Sequence, residues 1–306
     1  MSMSRDASSP PPFLLGANLP WVHYGIDFGA NAWRPDGGIA QPAEQAEVER
    51  AFARLAESGV RYVRWFLFCD GRAGITFTPG GRLVGLDDYV FRDVDAALDA
   101  ASRHGVSIMF VLFDFHWCKP ARSTRAVQMG GRARILSDPG SRGALLDTIV
   151  RPLVERYGRE PQIFAWDVIN EPEWIDSVDA NALHMFLVDS ITLVHSSARQ
   201  PVTVGSAGMR WRHRYAGLDL DFHQVHWYDG LKQQPSLETP VSRLGFDRPV
   251  LLGEFPTLGS RRTPDDIVAT ARSAGYSGAF FWSVLAKDEC SAYPISSSAF
   301  TPERMP

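Results

Sequence analysis

Short apolar runs alternate with amphipathic stretches along most of the chain. Runs of strand length fall at Phe13–Ala17, Val60–Phe66, Val106–Phe113, Ile163–Ile169, Pro201–Val204, His223–Trp227, Val250–Gly253 and Gly278–Trp282. Such runs, apolar on both faces, suit parallel strands buried in a sheet. Between them a helical period predicts helices over Ala43–Ser58, Leu86–His104, Ser141–Tyr157, Asp179–Ala198 and Pro264–Ala274. Asp179 is placed to cap the fourth of these, and Thr263-Pro264-Asp265-Asp266 opens the fifth with proline at its first helical position. Ser58-Gly59, His104-Gly105 and Ala274-Gly275 supply glycines suited to left-handed helix ends.

Eight strands with intervening helices predict an α/β fold, a single (β/α)8 TIM barrel, and 306 residues suffice for one. A doubly wound nucleotide-binding sheet fits poorly, because Gly16-Ala17-Asn18-Leu19-Pro20 after the first strand lacks the glycine fingerprint. Residues 1–12, polar and rich in Pro and Ser, are expected to be a disordered N-terminal segment, and 13–306 one catalytic domain. Two places depart from the ideal. Met209 to Asp221 is short for a fifth helix, and the Ser/Pro-containing tail from Ala286 predicts an irregular or incomplete eighth. A long loop from Trp21 to Pro42 after the first strand is placed to cover part of the barrel mouth.

Composition narrows the function classes. A formal net charge of -4, without a Lys/Arg block, argues against a nucleic-acid partner. No run approaches the roughly 20 apolar residues of a membrane span. The opening residues carry no apolar signal core, so the expectation is a cytoplasmic protein, or a secreted one if a signal has been removed. Cys69, Cys118 and Cys290 are odd in number and lack metal-ligand spacing, which predicts free thiols. The 9 Trp exceed what the core of a chain this size needs and lean towards a carbohydrate partner.

The chemistry concentrates at two strand ends. Phe164-Ala165-Trp166-Asp167-Val168-Ile169-Asn170-Glu171-Pro172 and Val250-Leu251-Leu252-Gly253-Glu254-Phe255 each close an apolar run on a glutamate, at the fourth and seventh strands. Strand ends are where a barrel places its reacting groups. Two glutamates facing across a cleft are what a retaining glycosidase needs, one to protonate the leaving oxygen and one to attack the sugar carbon. Asn170 is placed to hydrogen-bond a sugar hydroxyl beside the reacting carbon. Strand alternation sets His226 and Tyr228 on one face, with the Tyr228 hydroxyl able to hold a carboxylate. It sets His223 on the other, which weakens any metal reading, so neither metal nor cofactor is expected. Arg64 is a charge inside an apolar strand and needs a carboxylate, with Glu254 the natural partner, whose pKa it would lower. Trp282 ends the eighth strand as a candidate stacking platform. Asn18, Asp114, His116 and Trp117 complete the candidate set.

These residues, in this order along nearly the whole chain, resemble glycoside hydrolase clan A. The carriers are Arg64 on strand two, Asn170-Glu171-Pro172 on strand four, His226-Trp227-Tyr228 on strand six, Glu254 on strand seven and Trp282 on strand eight. Within the clan the pattern is nearest to the cellulase and mannanase-like, family 5-type members. The resemblance implies a (β/α)8 retaining glycosidase acting on a β-linked oligo- or polysaccharide, with glucan or mannan favoured. It also implies Glu171 as acid/base and Glu254 as nucleophile. A transglycosylase would use the same residues, and a non-hydrolytic sugar-binding protein on the same barrel is the other alternative. The stretch from Asn18 to Gly25 departs from the usual endoglucanase opening.

Overall fold

The computed structural model describes residues 13–292. Eight parallel strands close into a barrel: β1 (Leu14–Asn18), β2 (Tyr62–Phe66), β3 (Ser107–Asp114), β4 (Ile163–Asn170), β5 (Val202–Ser206), β6 (His223–His226), β7 (Val250–Pro256) and β8 (Gly278–Trp282). Each pairs with its sequence neighbours, and β8 closes on β1 with Leu14 opposite Gly278 and Asn18 opposite Trp282. The expected eight-stranded barrel is therefore present. The N-terminal segment, and the place where an eighth helix would finish, lie outside the described residues.

Among the described residues seven α-helices pack outside: α1 (Pro42–Glu57), α2 (Val90–His104), α3 (Ala133–Ser137), α4 (Pro139–Leu145), α5 (Arg151–Tyr157), α6 (Ala180–Ser197) and α7 (Pro264–Ala274). The predicted caps form. Asp179 accepts from the backbone of Asn181 and Ala182, and Thr263 from Asp266, while Gly105 and Gly275 adopt the left-handed C-cap conformation. Two predicted helices differ in detail. The stretch Ser141–Tyr157 is helical throughout, as expected, but not uniformly α: α4 passes through a π turn at Leu146–Val150 into α5. Pro152 has no N–H to continue the ladder, and the backbone widens ahead of it. The helix expected from Leu86 starts at Val90, because Leu83–Leu86 is extended and pairs with Ile75–Phe77 as a hairpin. A second hairpin, Arg122–Thr124 with Val127–Met129, follows β3. The segment after β5 forms only a 3-10 helix, Met209–Tyr215.

The barrel interior is layered. At the bottom Met109, Ala165, Leu251 and Phe280 form an apolar plug. Above it the side chains turn polar, with Arg64, Asp167 and Gln224 all fully or almost fully buried. A larger apolar shell lies between strands and helices and includes Phe28, Phe52, Trp65, Phe110 and Trp166. Cys69 and Cys118 are buried free thiols, and Cys290 is free and half-buried. No described helix is long and apolar enough to cross a membrane.

The loop after β1 does reach the mouth, and buried carboxylates hold it there. Asp93 of α2 accepts from the backbone N–H of Gly29 (2.8 Å), Gly38 (2.9 Å) and Ala40 (2.9 Å). Asp27 accepts from Val22 and His23 (both 2.7 Å) and from the Trp65 indole (2.9 Å). Truncating Asp93 would leave three loop N–H groups without an acceptor, and an unpaired buried donor costs about 1–3 kcal/mol. Asp93→Ala is therefore expected to lower unfolding free energy in urea by about 2 kcal/mol or more. A change below a few tenths would contradict this role.

Candidate active site

A cleft of about 430 Å³ opens at the C-terminal mouth of the barrel, with Glu171 and Glu254 in its wall beside Trp21, Trp174, Tyr228 and Trp282. Glu254 lies inside β7, not at its end, since the strand runs on through Phe255 and Pro256. The register shifts there: Val225 faces Leu252 while His226 faces Glu254, so Gly253 is an extra residue in the β6–β7 pairing. Such a bulge re-aims the side chain beside it. Only glycine fits at that point, because a Cβ on Gly253 would stand 2.3 Å from Cγ of Gln224.

Both Glu254 oxygens are occupied. Oε1 accepts from Nη1 of Arg64 at 2.6 Å, and Oε2 accepts from the Tyr228 hydroxyl at 2.8 Å. The same guanidinium donates to Asp167 (2.9 Å), Asn18 (3.1 Å) and Asn170 (2.8 Å). Gly205 leaves the room, since a Cβ there would lie 2.6 Å from Nη2. Burial raises the Glu254 pKa above the ordinary glutamate value. Arg64 pulls it down, as expected, and so does the Tyr228 hydroxyl, but together they do not cancel burial.

Glu171 follows β4 directly, with φ 46° and ψ 51°, and its N–H donates to Gly205 at 2.6 Å. A left-handed non-glycine residue is strained, and the strain serves to turn the side chain into the cleft. Its Oε2 accepts from the Trp174 indole at 2.8 Å, and its Oε1 lies 2.8 Å from Nδ1 of His226. Burial, helped by the charge of Asp114, raises its pKa to about 7. His226 is fully buried, and burial depresses its ring to about 4, so it stays neutral near pH 7. Nδ1 of His226 also lies 3.4 Å from Glu254. One carboxylate oxygen from each glutamate and a His226 nitrogen lie within 4.8 Å of one another. That trio resembles a metal set, but Arg64, Tyr228, Trp174 and His226 already occupy the carboxylate oxygens.

The other candidates divide. Asn170 bridges Arg64 and Asp114, donating to Asp114 at 2.8 Å, and lines the cleft. His116 hydrogen-bonds Asp114 through Nδ1 and also lines the cleft. Trp282 is at the wall, its indole donating to Asp288 at 2.7 Å. Asn18 is wholly buried, with its amide on the carbonyls of Gly253 (2.9 Å) and Phe281 (3.2 Å), so it braces Arg64 and has no face for substrate. Trp117 is a correction. It turns into the core, packs on Phe113 and donates to the Phe68 carbonyl, because the 3-10 turn Phe115–Cys118 points it away from the cleft. His223 takes the opposite face from His226 and meets Asp247 at 2.7 Å. Sequence reading misses Asp167, although it carries the same signal as Arg64, a charge in an apolar strand. It also misses Trp174, three residues beyond Glu171, and Trp21 in the covering loop.

Barrel, mouth and paired carboxylates, taken with the relatives, define a glycosidase on a (β/α)8 barrel, with a residue pattern similar to that of glycoside hydrolase clan A. The chain is similar to the mannan endo-1,4-β-mannosidase of Mytilus edulis, 24% identical over 320 residues that cover 89% of this chain and 83% of the relative. The enzyme of the same name from Cryptopygus antarcticus is 23% identical over 91% of this chain and 82% of its own length. Among solved structures, the endo-1,4-β-mannanase of Eisenia fetida superposes with a TM-score of 0.77 at 23% identity, covering 92% of this chain and 87% of that one. No family model matches the chain.

Removing one partner of a buried ion pair costs about 3–5 kcal/mol. Arg64→Met would leave Asp167 and Glu254 buried without their cation. It is expected to lose stability on that scale in chemical denaturation, and a loss under about 1 kcal/mol would contradict the buried network.

Proposed function

We propose that the chain hydrolyses β-1,4-linked mannan with retention of anomeric configuration, in one catalytic domain spanning 13–306, with Glu171 as acid/base and Glu254 as nucleophile. The observation that carries this reading is the closeness of the two glutamates, an oxygen of each within 4.8 Å, in unlike surroundings. Retaining enzymes hold their carboxyl groups about 5–5.5 Å apart, and inverting ones about 6.5–9.5 Å to admit a water. Mannan is the polymer that the similar enzymes are named for.

In the first step Glu171, carrying its proton, donates it to the glycosidic oxygen as the C–O bond breaks. Glu254 attacks the anomeric carbon from the other face and forms a covalent glycosyl-enzyme. Arg64 and Tyr228 hold Glu254 in place in the cleft wall. In the second step Glu171, now ionised, takes a proton from water, and the hydroxide oxygen displaces Glu254 from the sugar. The Trp174 indole stabilises Glu171 in that ionised form. A pKa near 7 suits a group that must serve as acid and then as base.

Activity should therefore fall on the alkaline side as Glu171 loses its proton. The pH profile of kcat/KM on a mannan oligosaccharide should turn down near pH 7, about tenfold per further unit. Trp174→Phe removes a donor that favours the ionised form, so the limb should move to higher pH. A limb that stays in place would count against Glu171 as its source.

Substrate and roles are tested together by assaying wild type, Glu171→Ala and Glu254→Ala on β-mannan oligosaccharides, cello-oligosaccharides and an activated aryl β-mannoside. Glu254→Ala should lose all three activities. Glu171→Ala should fall by about 10²–10⁴ on oligosaccharides and far less in the first step on the aryl substrate, which needs no acid. Near-normal turnover by Glu254→Ala would overturn the assignment, and preference for cello-oligosaccharides would overturn mannan.

A further inference from the structure

Three arginines are buried among the described residues, and two of them have carboxylates. Arg64 meets Asp167 and Glu254, and Arg142 meets Asp189 at 2.9 Å. Arg132, 7% exposed, forms no ion pair among the described residues. Its Nε is shut away from solvent without a hydrogen-bond partner. The guanidinium lies over the Phe77 ring, 3.6 Å from its centroid. A cation over a ring face is attracted to it, but the ring accepts no set of N–H bonds. Burying a charge this way is unfavourable unless something completes it.

The residue is held there by its backbone, whose N–H donates to the Trp117 carbonyl at 2.8 Å. It lines a cavity of about 680 Å³ apart from the catalytic cleft, walled by the Ile75–Phe77/Leu83–Leu86 and Arg122–Thr124/Val127–Met129 hairpins, α3 and the start of α4. Arg82 and Arg134 line the same cavity from its exposed rim, and neither is in an ion pair among the described residues. The one carboxylate in the wall, Asp138, is committed to the α4 N-terminus, where it accepts from Ser141 at 2.7 Å. Gln128 adds an amide. Three arginines thus line a volume in the usual range for a small-molecule site, with one carboxylate among the lining residues.

We propose that this cavity binds a small ligand through an oxyanion group, carboxylate or phosphate, which Arg132 grips from below and Arg82 and Arg134 close from the rim. The guanidinium fork matches both groups in geometry. The neutral remainder of the ligand, up to about disaccharide size, lies against the glycines Gly80, Gly81 and Gly140. This site does not depend on which sugar the cleft cleaves.

The test is calorimetric titration of the whole chain at constant ionic strength with inorganic phosphate, with glucuronate and with neutral glucose. At least one anion should bind saturably with a Kd in the millimolar range or tighter, and glucose should not. Phosphate alone would mark the source as phosphate, glucuronate alone as an acidic sugar, and both as the shared oxyanion chemistry. Arg132→Met keeps the apolar stem on Phe77 and should weaken binding at least tenfold, without lowering the melting temperature measured in the absence of anion. Should that variant not fold, Arg82→Gln and Arg134→Gln, both exposed, should each weaken binding several-fold. No saturable binding of either anion, or binding undiminished in the folded variants, would overturn the proposal.

Discussion

A guanidinium with no access to water must find an oxygen for each of its N–H groups inside the protein, and Arg64 does so at the centre of the barrel. Its partners come from three strands, Asn18 from β1, Asp167 and Asn170 from β4, and Glu254 from β7, and the arginine itself stands on a fourth, β2. Each partner is engaged a second time. Asp167 accepts from Gln224 and from the N–H of Gly205, Asn170 donates to Asp114, and Glu254 accepts from Tyr228. The mouth of the barrel is therefore a single hydrogen-bonded frame. Displacing any one strand would break bonds to several others, so the carboxylates in it are held without help from a ligand.

That frame accounts for the unlike surroundings of the two glutamates. Glu254 is inside it and receives a cation and a hydroxyl, both of which favour the ionised form. Glu171 stands at its edge, near the charge of Asp114 on the neighbouring strand, with an indole and a neutral imidazole beside it. Burial raises both groups; the charge of Asp114 adds to it at Glu171, while Arg64 and the Tyr228 hydroxyl oppose it at Glu254. Separation of two titrating groups by environment is what lets one carboxyl group serve as acid while its neighbour attacks. The neutral state of His226 matters here, because a charged ring between the glutamates would pull both pKa values down.

The barrel is legible in sequence because each strand is an apolar run, and the two strand-end glutamates stand out against those runs. Arg64 is conspicuous for the same reason. Other parts leave no such mark. Asp167 sits in an apolar strand too, but its partners Gln224 and Gly205 are remote in sequence, so nothing local shows that the charge is shared. The bulge at Gly253 has no local signature either; its glycine is required only because Gln224 passes 2.3 Å from where a Cβ would be. Trp117 and His116 are adjacent and read alike, yet a 3-10 turn sends one into the core and the other to the cleft. Helix Ser141–Tyr157 keeps its period through Pro152, and only the backbone reveals the π turn. Periodicity records which side of an element is apolar. It does not record how side chains from distant strands meet.

The most direct test of the Arg64-centred frame is to trap the glycosyl-enzyme and locate it. Incubation with an activated 2-deoxy-2-fluoro-β-mannoside, followed by proteolysis and mass spectrometry, should show one sugar on the peptide containing Glu254 and none on that containing Glu171. A label on Glu171, or turnover with an inverted product and no label, would contradict the account.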